Sequence, residues 1–300
     1  LGSSVFDVGV QVLSPAPYKI GESQFFYLEV KMKIKLIYLL GLFLILIFIY
    51  NYIQISQIFV NELTFRNKKL SKALRITQIS DYHSNTHIDL QKLLDSITHF
   101  NPHIIALTGD IIDSTTEDIY PTLDLMEKLV NINPNIFFVI GNHELGNKNG
   151  DKFISNLKEI GVTVLDNSSQ TIEVEGQKIS ICGLSFYATS NDYQVTMSGI
   201  DRDNFTLLLS HSPNRPISYS KGIEDLTIAG HTHGGQVRLP LIGAIISPGQ
   251  RLFPKYDKGV FNVNNTILYI DSGLGNSVFP IRFFNRVQIS NITIQTTNDN

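Results

Sequence analysis

Four short polar clusters in this sequence carry residue types that bind divalent metal ions, and each cluster follows an apolar run. The clusters lie at 81–83, 109–113, 141–144 and 230–233, and His211 stands alone between the last two. Carboxylates, imidazoles and one amide oxygen are the groups that bind hard and borderline cations such as Mn, Zn and Fe. The residue types and their number therefore predict a site for two metal ions.

The apolar runs indicate where these side chains lie. Four segments rich in Ile, Leu, Val and Phe have the pattern of buried strands: 73–80, 103–108, 135–140 and 225–229. In layered α/β folds, ligands bind at the carboxyl ends of strands, because loops that leave neighbouring strands converge there. Asp81 and His83 are two residues apart, so in an extended segment they point to the same side. His231 and His233 repeat that spacing.

Glycines and helical patterns complete the predicted layout. Gly109, Gly141 and Gly230 each precede a predicted ligand, where glycine permits a tight turn as the chain leaves the sheet. Apolar residues fall at helical spacing between the first two strands and again over 117–130 and 151–160. Stretches at 170–182 and 259–271 have the pattern of hairpins. Strand–helix alternation followed by hairpins predicts an α/β fold of mixed sheets with helices outside.

The order of the clusters resembles a known family. All five parts of the calcineurin-like metallophosphoesterase pattern are present in order: D-x-H, G-D-x-x-D, G-N-H-[DE], H and G-H-x-H. The match runs from about residue 76 to the end of the chain, and 230–236, 253–256 and 273–277 resemble the membrane-associated YkuE/YaeI-like branch. The resemblance implies the calcineurin-like phosphoesterase fold, in which two mixed β-sheets pack face to face between flanking helices as four α/β/β/α layers.

Carried over by position, the resemblance implies a division of roles. Asp81, His83 and His233 would hold one metal ion, Asn142, His211 and His231 would hold the other, and Asp110 would bridge both. His143 would contact a phosphate oxygen or protonate the leaving oxygen, and Asp113 would orient this histidine. The two ions, Mn, Zn or Fe, would activate a bridging hydroxide for in-line attack on phosphorus. Arg282 and Arg286 are predicted to meet a phosphate or an anionic head group.

These roles predict hydrolysis of a phosphodiester or pyrophosphate, including lipid-linked ones, with a phosphomonoester as the alternative substrate. The rival from a different class is a metal-binding scaffold without turnover, which should lack a ligand or the acid His143, and this chain retains them all. Cys182 lies in an apolar run and is interpreted as a buried strand residue. A net charge of -3 gives no basic footprint for nucleic acid. The oligomeric state is not predicted.

An apolar segment near the amino terminus predicts a single membrane anchor. The stretch from Leu36 to Tyr50 has no charge, and extension to Ile55 reaches the roughly 20 residues that span a bilayer. A cleaved signal peptide and a buried core helix are the alternatives, but no cleavage site follows and the run is apolar on all sides. We therefore predict an anchor over 32–56 and a catalytic domain over 57–300.

The basic residues around this segment bear on its orientation at the cell membrane. Lys31, Lys33 and Lys35 precede it, which favours an inside amino terminus and a catalytic domain on the outer face. Basic residues between 66 and 75 oppose that orientation. Residues 1–31 look unlike the rest of the chain and precede Met32, so they are interpreted as an upstream extension or a mis-assigned start and take no part in the fold argument.

Overall fold

The structure is a computed structural model that describes residues 21–248, 250–276 and 280–297, without the side chains of 22 and 23. Residues 1–20 of the predicted extension and Ser277 of the 273–277 motif lie outside the described residues. The chain divides into two compact units, and the second begins at Tyr50.

Helix α1 (Glu22–Ser56) is the first element of the described chain. Its 35 residues extend over about 50 Å, because an α-helix rises about 1.5 Å per residue. Residues 24–56 are long and apolar enough to cross a membrane by length and composition, and none of the most apolar window is buried. This helix is therefore a candidate membrane span, and the predicted anchor lies inside it. Residues 50–56, which the sequence assigned to the anchor, belong to the second unit.

The described part of the second unit contains two six-stranded sheets. The first has the order β1-β14-β2-β3-β4-β5. Its strands are β1 (Phe59–Asn67), β2 (Leu74–Ile79), β3 (Ile104–Leu107), β4 (Ile136–Phe138), β5 (Thr163–Val164) and β14 (Gln288–Thr296). Strands β2 to β5 are parallel, and β14 runs antiparallel to β2 and parallel to β1.

The second sheet has the order β12-β13-β9-β8-β7-β6. Its strands are β6 (Ser168–Val174), β7 (Gln177–Leu184), β8 (Phe205–Ser210), β9 (Leu226–Ala229), β12 (Gly259–Val263) and β13 (Thr266–Ile270). The four central strands are parallel, and each edge strand joins through a hairpin. A two-stranded ribbon, β10 (Arg238–Leu239) with β11 (Gly243–Ala244), lies between β9 and β12 in the chain.

The α-helices that follow α1 are α2 (Leu90–Phe100), α3 (Tyr120–Ile132), α4 (Asn142–Gly146), α5 (Gly150–Glu159), α6 (Ser190–Ser198) and α7 (Asn214–Tyr219). The longer ones cover the outer faces of the sheets, whereas α4 begins with the predicted ligand Asn142 at a strand end. One core joins the two sheets and includes Ile76 and Phe137 from the first sheet with Ile181 and Leu207 from the second. A second core packs α2, α3 and α5 on the first sheet, and a third packs α6 on the second. The four-layer α/β/β/α arrangement is thus confirmed.

Both predicted hairpins are present, and their turns have a local cause. In the β6–β7 turn, Glu175 and Gly176 have φ of 51° and 82°, and in the β12–β13 turn Asn264 and Asn265 have φ of 50° and 65°. Two consecutive positive φ angles match the twist of the flanking strands, and Gly and Asn tolerate them best. Strand β8, which ends directly before His211, was not identified from the sequence.

Candidate metal centre

The predicted ligands converge where the two sheets meet, at the carboxyl ends of their central parallel strands. Asp81, Asp110 and Asn142 follow β2, β3 and β4 of the first sheet. His211 and His231 follow β8 and β9 of the second sheet. The identification of β8 explains why a lone histidine belongs to the set, because it too stands at the end of a strand. The two sheets thus bring residues from five separate loops to one place.

The Asp110 carboxylate lies at the middle of this group. Its Oδ2 atom is 3.1 Å from Nε2 of His211 and 3.9 Å from Nε2 of His83. The Asp110 side chain is 1% exposed. A single carboxylate oxygen therefore faces histidines on both sides, which is the position that a bridging ligand requires.

Two sets of donor atoms flank Asp110. On one side, Nε2 of His233 is 3.2 Å from Nε2 of His83 and 3.6 Å from Oδ1 of Asp81. On the other side, Nε2 of His211 is 3.1 Å from both Oδ1 of Asn142 and Nδ1 of His231. Ligand atoms bound at about 2.0–2.2 Å to one ion lie about 3–3.5 Å apart. The spacing and the all-nitrogen-and-oxygen donor set therefore fit two divalent ions.

Protonation in this group also suits cation binding. Burial, together with the neighbouring His211, lowers the pKa of His231 to about 3, and burial lowers the pKa of His233. Burial also lowers the pKa of His211, but the adjacent Asp110 carboxylate more than offsets this and raises that pKa to about 9. A cation takes the place of a proton on imidazole, so the neutral rings of His231 and His233 are ready ligands at neutral pH.

Backbone conformation aims these side chains. Five predicted ligands have left-handed φ angles: Asp81 48°, His83 49°, Asp110 54°, His231 68° and His233 49°. This conformation costs an L-residue about 1–2 kcal/mol, and such strain concentrates at functional sites. The chain therefore turns sharply at the strand ends and directs these side chains back over the edge of the sheets.

The glycines before the ligands serve two different purposes. Gly109 has φ of 84°, as the predicted tight turn requires. Gly141 and Gly230 do not have positive φ angles, so the turn is the wrong explanation for them. A Cβ at Gly141 would overlap the Asp110 carboxylate, and one at Gly230 would overlap Ser80 and Asp81. These two glycines are required because the ligands pack directly against the backbone.

His143 borders the centre, with a ring nitrogen within 4.8 Å of ligand atoms of His83 and Asp110. Its side chain is 17% exposed, and its Nε2 is 3.9 Å from Oδ2 of Asp110. Its Nδ1 is 3.0 Å from Oδ2 of Asp113 and accepts a hydrogen bond from the Ser114 backbone N–H. Burial lowers the pKa of His143, which favours the neutral ring. Asp113 also lies 3.4 Å from Nδ1 of His83, so this carboxylate adjoins both histidines.

Glu144 organises the loops and was missed by residue-level reasoning. Its Oε2 accepts from the backbone N–H groups of Asp110 and Gly141, each at 2.9 Å, and its Oε1 accepts from those of Ile111 at 2.6 Å and Ile112 at 3.2 Å. Burial, with the nearby Asp110, raises the pKa of this carboxyl to about 7. The sequence feature that could have identified Glu144 is its place as the acidic residue that ends the third polar cluster, 141–144.

Two further contacts hold the histidines. Nδ1 of His211 is 2.8 Å from the Thr108 carbonyl oxygen, so its Nε2 faces the centre. The Asn285 side-chain amide donates to the His233 carbonyl oxygen at 2.7 Å. Partners of this kind orient metal ligands and raise metal affinity. Asn285 carries no motif that sequence reasoning would have recognised.

The structure corrects the prediction that Arg282 meets substrate. The side chain is fully buried. Burial, opposed by the Asp81 and Asp271 carboxylates, lowers its pKa to about 10. Its guanidinium donates to the Asn276 side-chain oxygen and to the backbone carbonyl oxygens of Ser272, Gly273, Gly275, Asn285 and Arg286. Arg282 therefore ties together two loops and has no surface left for a phosphate.

Arg286 is half-buried and is also engaged with backbone. Its guanidinium donates to the carbonyl oxygens of Gln57 at 3.1 Å and Ile58 at 3.3 Å, at the end of helix α1. The predicted contact of Arg286 with a phosphate or an anionic head group stays a prediction.

An open cleft of about 510 Å³ leads to the centre. Its lining includes His83, Asp113, Asn276 and Pro280. His87, which belongs to none of the polar clusters, also lines this cleft and is therefore a neighbour of the site. The volume accommodates a phosphate ester with part of its organic groups.

Comparison with known proteins agrees with this geometry. Residues 74–235 match the family description "Calcineurin-like phosphoesterase". The metallophosphoesterase YkuE of Bacillus subtilis (strain 168) is 31% identical over 257 residues, which is 82% of this chain and 89% of that protein. Phosphodiesterase YaeI of Escherichia coli (strain K12) is 25% identical over 224 residues, 72% of this chain and 80% of that protein.

A zebrafish (Danio rerio) relative is named a transmembrane protein with metallophosphoesterase domain. It is 24% identical over 242 residues, which is 74% of this chain and 53% of that protein. The family match covers more than half of the chain and includes every loop that carries a candidate ligand. The chain belongs to the calcineurin-like phosphoesterase family, and its metal-ligating residue types cluster at the ends of the central strands.

Proposed function

We propose that this protein is a membrane-anchored, dimetal phosphoric ester hydrolase that cleaves a phosphodiester or pyrophosphate bond. The observation that carries the proposal is the position of Asp110, whose single Oδ2 atom faces His211 on one side and His83 on the other. Two divalent ions bound there would supply Lewis acidity and lower the pKa of a bound water toward 7.

The proposed ligand roles follow the two donor sets. Asp81, His83 and His233 hold one ion, and Asn142, His211 and His231 hold the other, with Asp110 shared. Imidazole and oxygen donors without sulfur suit Mn, Zn or Fe, and the identity of the metal is open among these.

His143 acts on the substrate rather than on the metal. Its Nε2 points toward the centre at 3.9 Å from Asp110, and Asp113 lies against its Nδ1 at 3.0 Å. When the ring is protonated, the Asp113 carboxylate accepts a hydrogen bond from Nδ1–H. The proton on Nε2 is then available to a phosphoryl or leaving oxygen. Asp113 is thus a positioning residue, and it also restrains His83.

A diester is favoured over a monoester because the relative YaeI is named a phosphodiesterase and because the cleft beside His83 and Asp113, at about 510 Å³, leaves room for a second organic group. Full-length protein in detergent with added Mn should hydrolyse bis(p-nitrophenyl) phosphate faster than p-nitrophenyl phosphate. Absence of turnover with both, while calorimetry detects bound Mn, would support a metal-binding scaffold and refute the enzyme.

The role of His143 has a separate test. His143→Ala should lower turnover by about 10²–10⁴-fold while Mn affinity in calorimetry is retained. His99→Ala, an exposed histidine at the end of α2, is the matched control and should change neither quantity. Loss of metal binding together with activity in His143→Ala would instead assign this histidine to the ligand set.

We also propose that α1 crosses the cell membrane once, that the domain beginning near Tyr50 is catalytic, and that it lies on the outer face. The buried Cys182 permits a labelling test with a membrane-impermeant maleimide on intact cells. Cysteine in place of Glu127, exposed on α3, should be labelled, and cysteine in place of Lys31 should be labelled only after lysis. The reverse pattern would place the domain inside.

A further inference from the structure

An exposed apolar surface adjoins the metal centre and is not used by the proposed chemistry. It consists of the described segments 237–248, 250–253 and 281–284, which we call the apolar platform. More than half of the exposed large apolar side chains in the described residues after Gln57 lie here. They include Leu241, Ile246, Leu252, Phe253, Phe283 and Phe284. Monomeric soluble proteins rarely expose a contiguous apolar patch of this kind without an interaction partner.

The platform is continuous because its segments bond to one another through backbone. Val237 pairs with Phe283 in a β-bridge, and the Phe283 N–H donates to the Gln236 carbonyl oxygen at 3.0 Å. On the other side, the Ile245 N–H donates to the Val237 carbonyl oxygen at 3.4 Å, and the Phe253 N–H donates to that of Ile245 at 2.8 Å. Three segments therefore lie side by side and hold their apolar residues together.

The platform is fixed to the residues at which the apolar run of α1 ends. The Tyr50 ring lies 5.4 Å from the Phe283 ring and 6.1 Å from the Phe284 ring, and the Phe284 N–H donates to the Tyr50 hydroxyl at 3.1 Å. The Asn51 side chain accepts from the Arg282 N–H at 2.9 Å and donates to the Pro280 carbonyl oxygen at 3.0 Å. A helix that spans a bilayer leaves the hydrocarbon where its apolar run ends, and Tyr is enriched at that level.

The charged residues around the platform indicate which kind of surface it binds. The sequence from 237 to 256 contains Arg238, Arg251 and Lys255 and no Asp or Glu, and Arg238 pairs with the Asp257 carboxylate at 2.8 Å, which leaves Arg251 and Lys255 as the uncompensated charges among the described residues of this stretch. Arg251 and Lys255 are exposed and flank the exposed Leu252 and Phe253. Apolar side chains with basic neighbours match an interface between acyl chains and anionic head groups.

Residues next to the platform connect it to the catalytic cleft. Pro280, which accepts from Asn51, lines the cleft together with His83 and Asp113. Gly235 and Gln236, two and three residues after His233, line a second cleft of about 490 Å³ with the platform residue Ile246. The platform therefore adjoins the metal centre through Pro280, which precedes Ile281, and through Gln236, which precedes Val237.

We propose that the platform seats in the head-group layer of an anionic bilayer and that the substrate is a phosphodiester carried by a membrane lipid. The proposal rests on the anchor and on the hydrolase activity already proposed, and it names the substrate class for that site. Seating brings the cleft to the level of lipid phosphates, so the substrate reaches the metal centre without leaving the membrane surface.

Docking is tested by fluorescence, because the chain contains no tryptophan and a single introduced one reports its own position. Full-length Phe253→Trp is reconstituted in vesicles of phosphatidylethanolamine and phosphatidylglycerol with brominated acyl chains. Its emission should be blue-shifted and quenched, whereas Val195→Trp, exposed on α6, should show neither change. Equal, unquenched emission from both variants would overturn the proposal. A blue-shifted emission that bromine does not quench, together with a doubled mass in detergent, would also overturn the proposal. In that case a second copy of the chain would cover the platform.

Substrate delivery is tested with a Leu252→Glu, Phe253→Glu double variant against Val195→Glu. Hydrolysis of vesicle phosphatidylglycerol should fall by about tenfold or more in the double variant, since two apolar side chains lose their burial. Hydrolysis of soluble bis(p-nitrophenyl) phosphate should be unchanged in both. Equal loss on both substrates, or no wild-type hydrolysis of the vesicle lipid despite activity on the soluble diester, would overturn the lipid assignment. Quenching of Phe253→Trp in a chain that hydrolyses neither substrate would contradict the hydrolase and support the docking.

Discussion

Replacement of Arg282 by lysine separates a structural arginine from a substrate-binding one. In the structure, the two shortest bonds of the guanidinium join Nη2 to the carbonyl oxygens of Ser272 at 2.7 Å and Gly275 at 2.6 Å. A lysine ammonium keeps the charge but offers three donors on one atom instead of a planar fork of five. It can therefore satisfy only part of the acceptor set, and several buried carbonyl oxygens lose their partner.

The expected cost follows from those acceptors. A buried group left without its hydrogen bond costs about 1–3 kcal/mol, and breaking a buried charged network costs about 3–5 kcal/mol in total because the bonds are not additive. For a domain of this size, 1 kcal/mol moves the melting temperature by about 2–4 °C. Arg282→Lys should thus lower the melting temperature by about 6–20 °C.

Melting is measured on detergent-solubilised full-length protein by near-ultraviolet circular dichroism. The chain has no tryptophan, but its 12 tyrosines report tertiary packing, whereas the helical signal includes α1 in the micelle. Arg286→Lys is the matched control, because this half-exposed arginine makes two bonds to backbone that water can replace. Its melting temperature should change by about 2 °C or less.

Kinetics below the melting temperature decide between the two roles. If Arg282 only supports the loops, the folded Arg282→Lys protein should keep the KM of the wild type for a soluble diester. A wild-type melting temperature combined with a KM raised about tenfold would show that the arginine binds substrate, and it would refute the role inferred from its burial.

Three further predictions concern the same unit. Glu144→Gln replaces a carboxylate that accepts from backbone N–H groups by an amide whose own N–H faces some of them. The affinity for Mn, measured by calorimetry, should therefore fall by about 10–100-fold. Unchanged affinity would contradict the supporting role of Glu144. Removal of metal by a chelator should lower the melting temperature and abolish activity, and addition of Mn should restore both. The reason is that bound ions stabilise the folded state and offset the buried Asp81 and Asp110 charges. A chelated protein with an unchanged melting temperature would argue against ions at this site. Cys182 should resist iodoacetamide in the folded protein at pH 8 and react after denaturation, because burial raises its pKa to about 12; rapid alkylation of active protein would contradict this.

Local pattern was sufficient for the elements that define the fold. Strands β3, β4 and β9 were recognised because a strand buried on both faces needs a mostly apolar run, and β2 was recognised from its Leu and Ile residues although Arg75 and Gln78 interrupt the run. The hairpin turns were recognised because their residues tolerate positive φ. Strand β8 has a run of the same kind, and it accounts for His211, which follows it directly.

Contacts that depend on how loops fold around one another could not be read in this way. Arg282 looked available to a phosphate because a charged side chain is usually exposed, and only the fold brings the 272–276 loop around it. Glu144 stood in a recognised motif, but the backbone groups that it binds come from 110–112. The last turns of α1 were assigned to the membrane anchor because they continue its apolar run. In the structure they belong to the second unit, where Gln54 accepts a hydrogen bond from the Asn285 N–H.

The sequence by itself determined which atoms can bind cations, their order along the chain and their placement after strands, because residue type and local periodicity are properties of short segments. The tertiary structure decided which of those atoms share an ion, since Asp110 lies between His83 and His211 only when two sheets pack face to face. It also decided that the loop from 237 to 253 joins the end of α1 through Phe283, because that neighbourhood depends on contacts between residues more than two hundred positions apart.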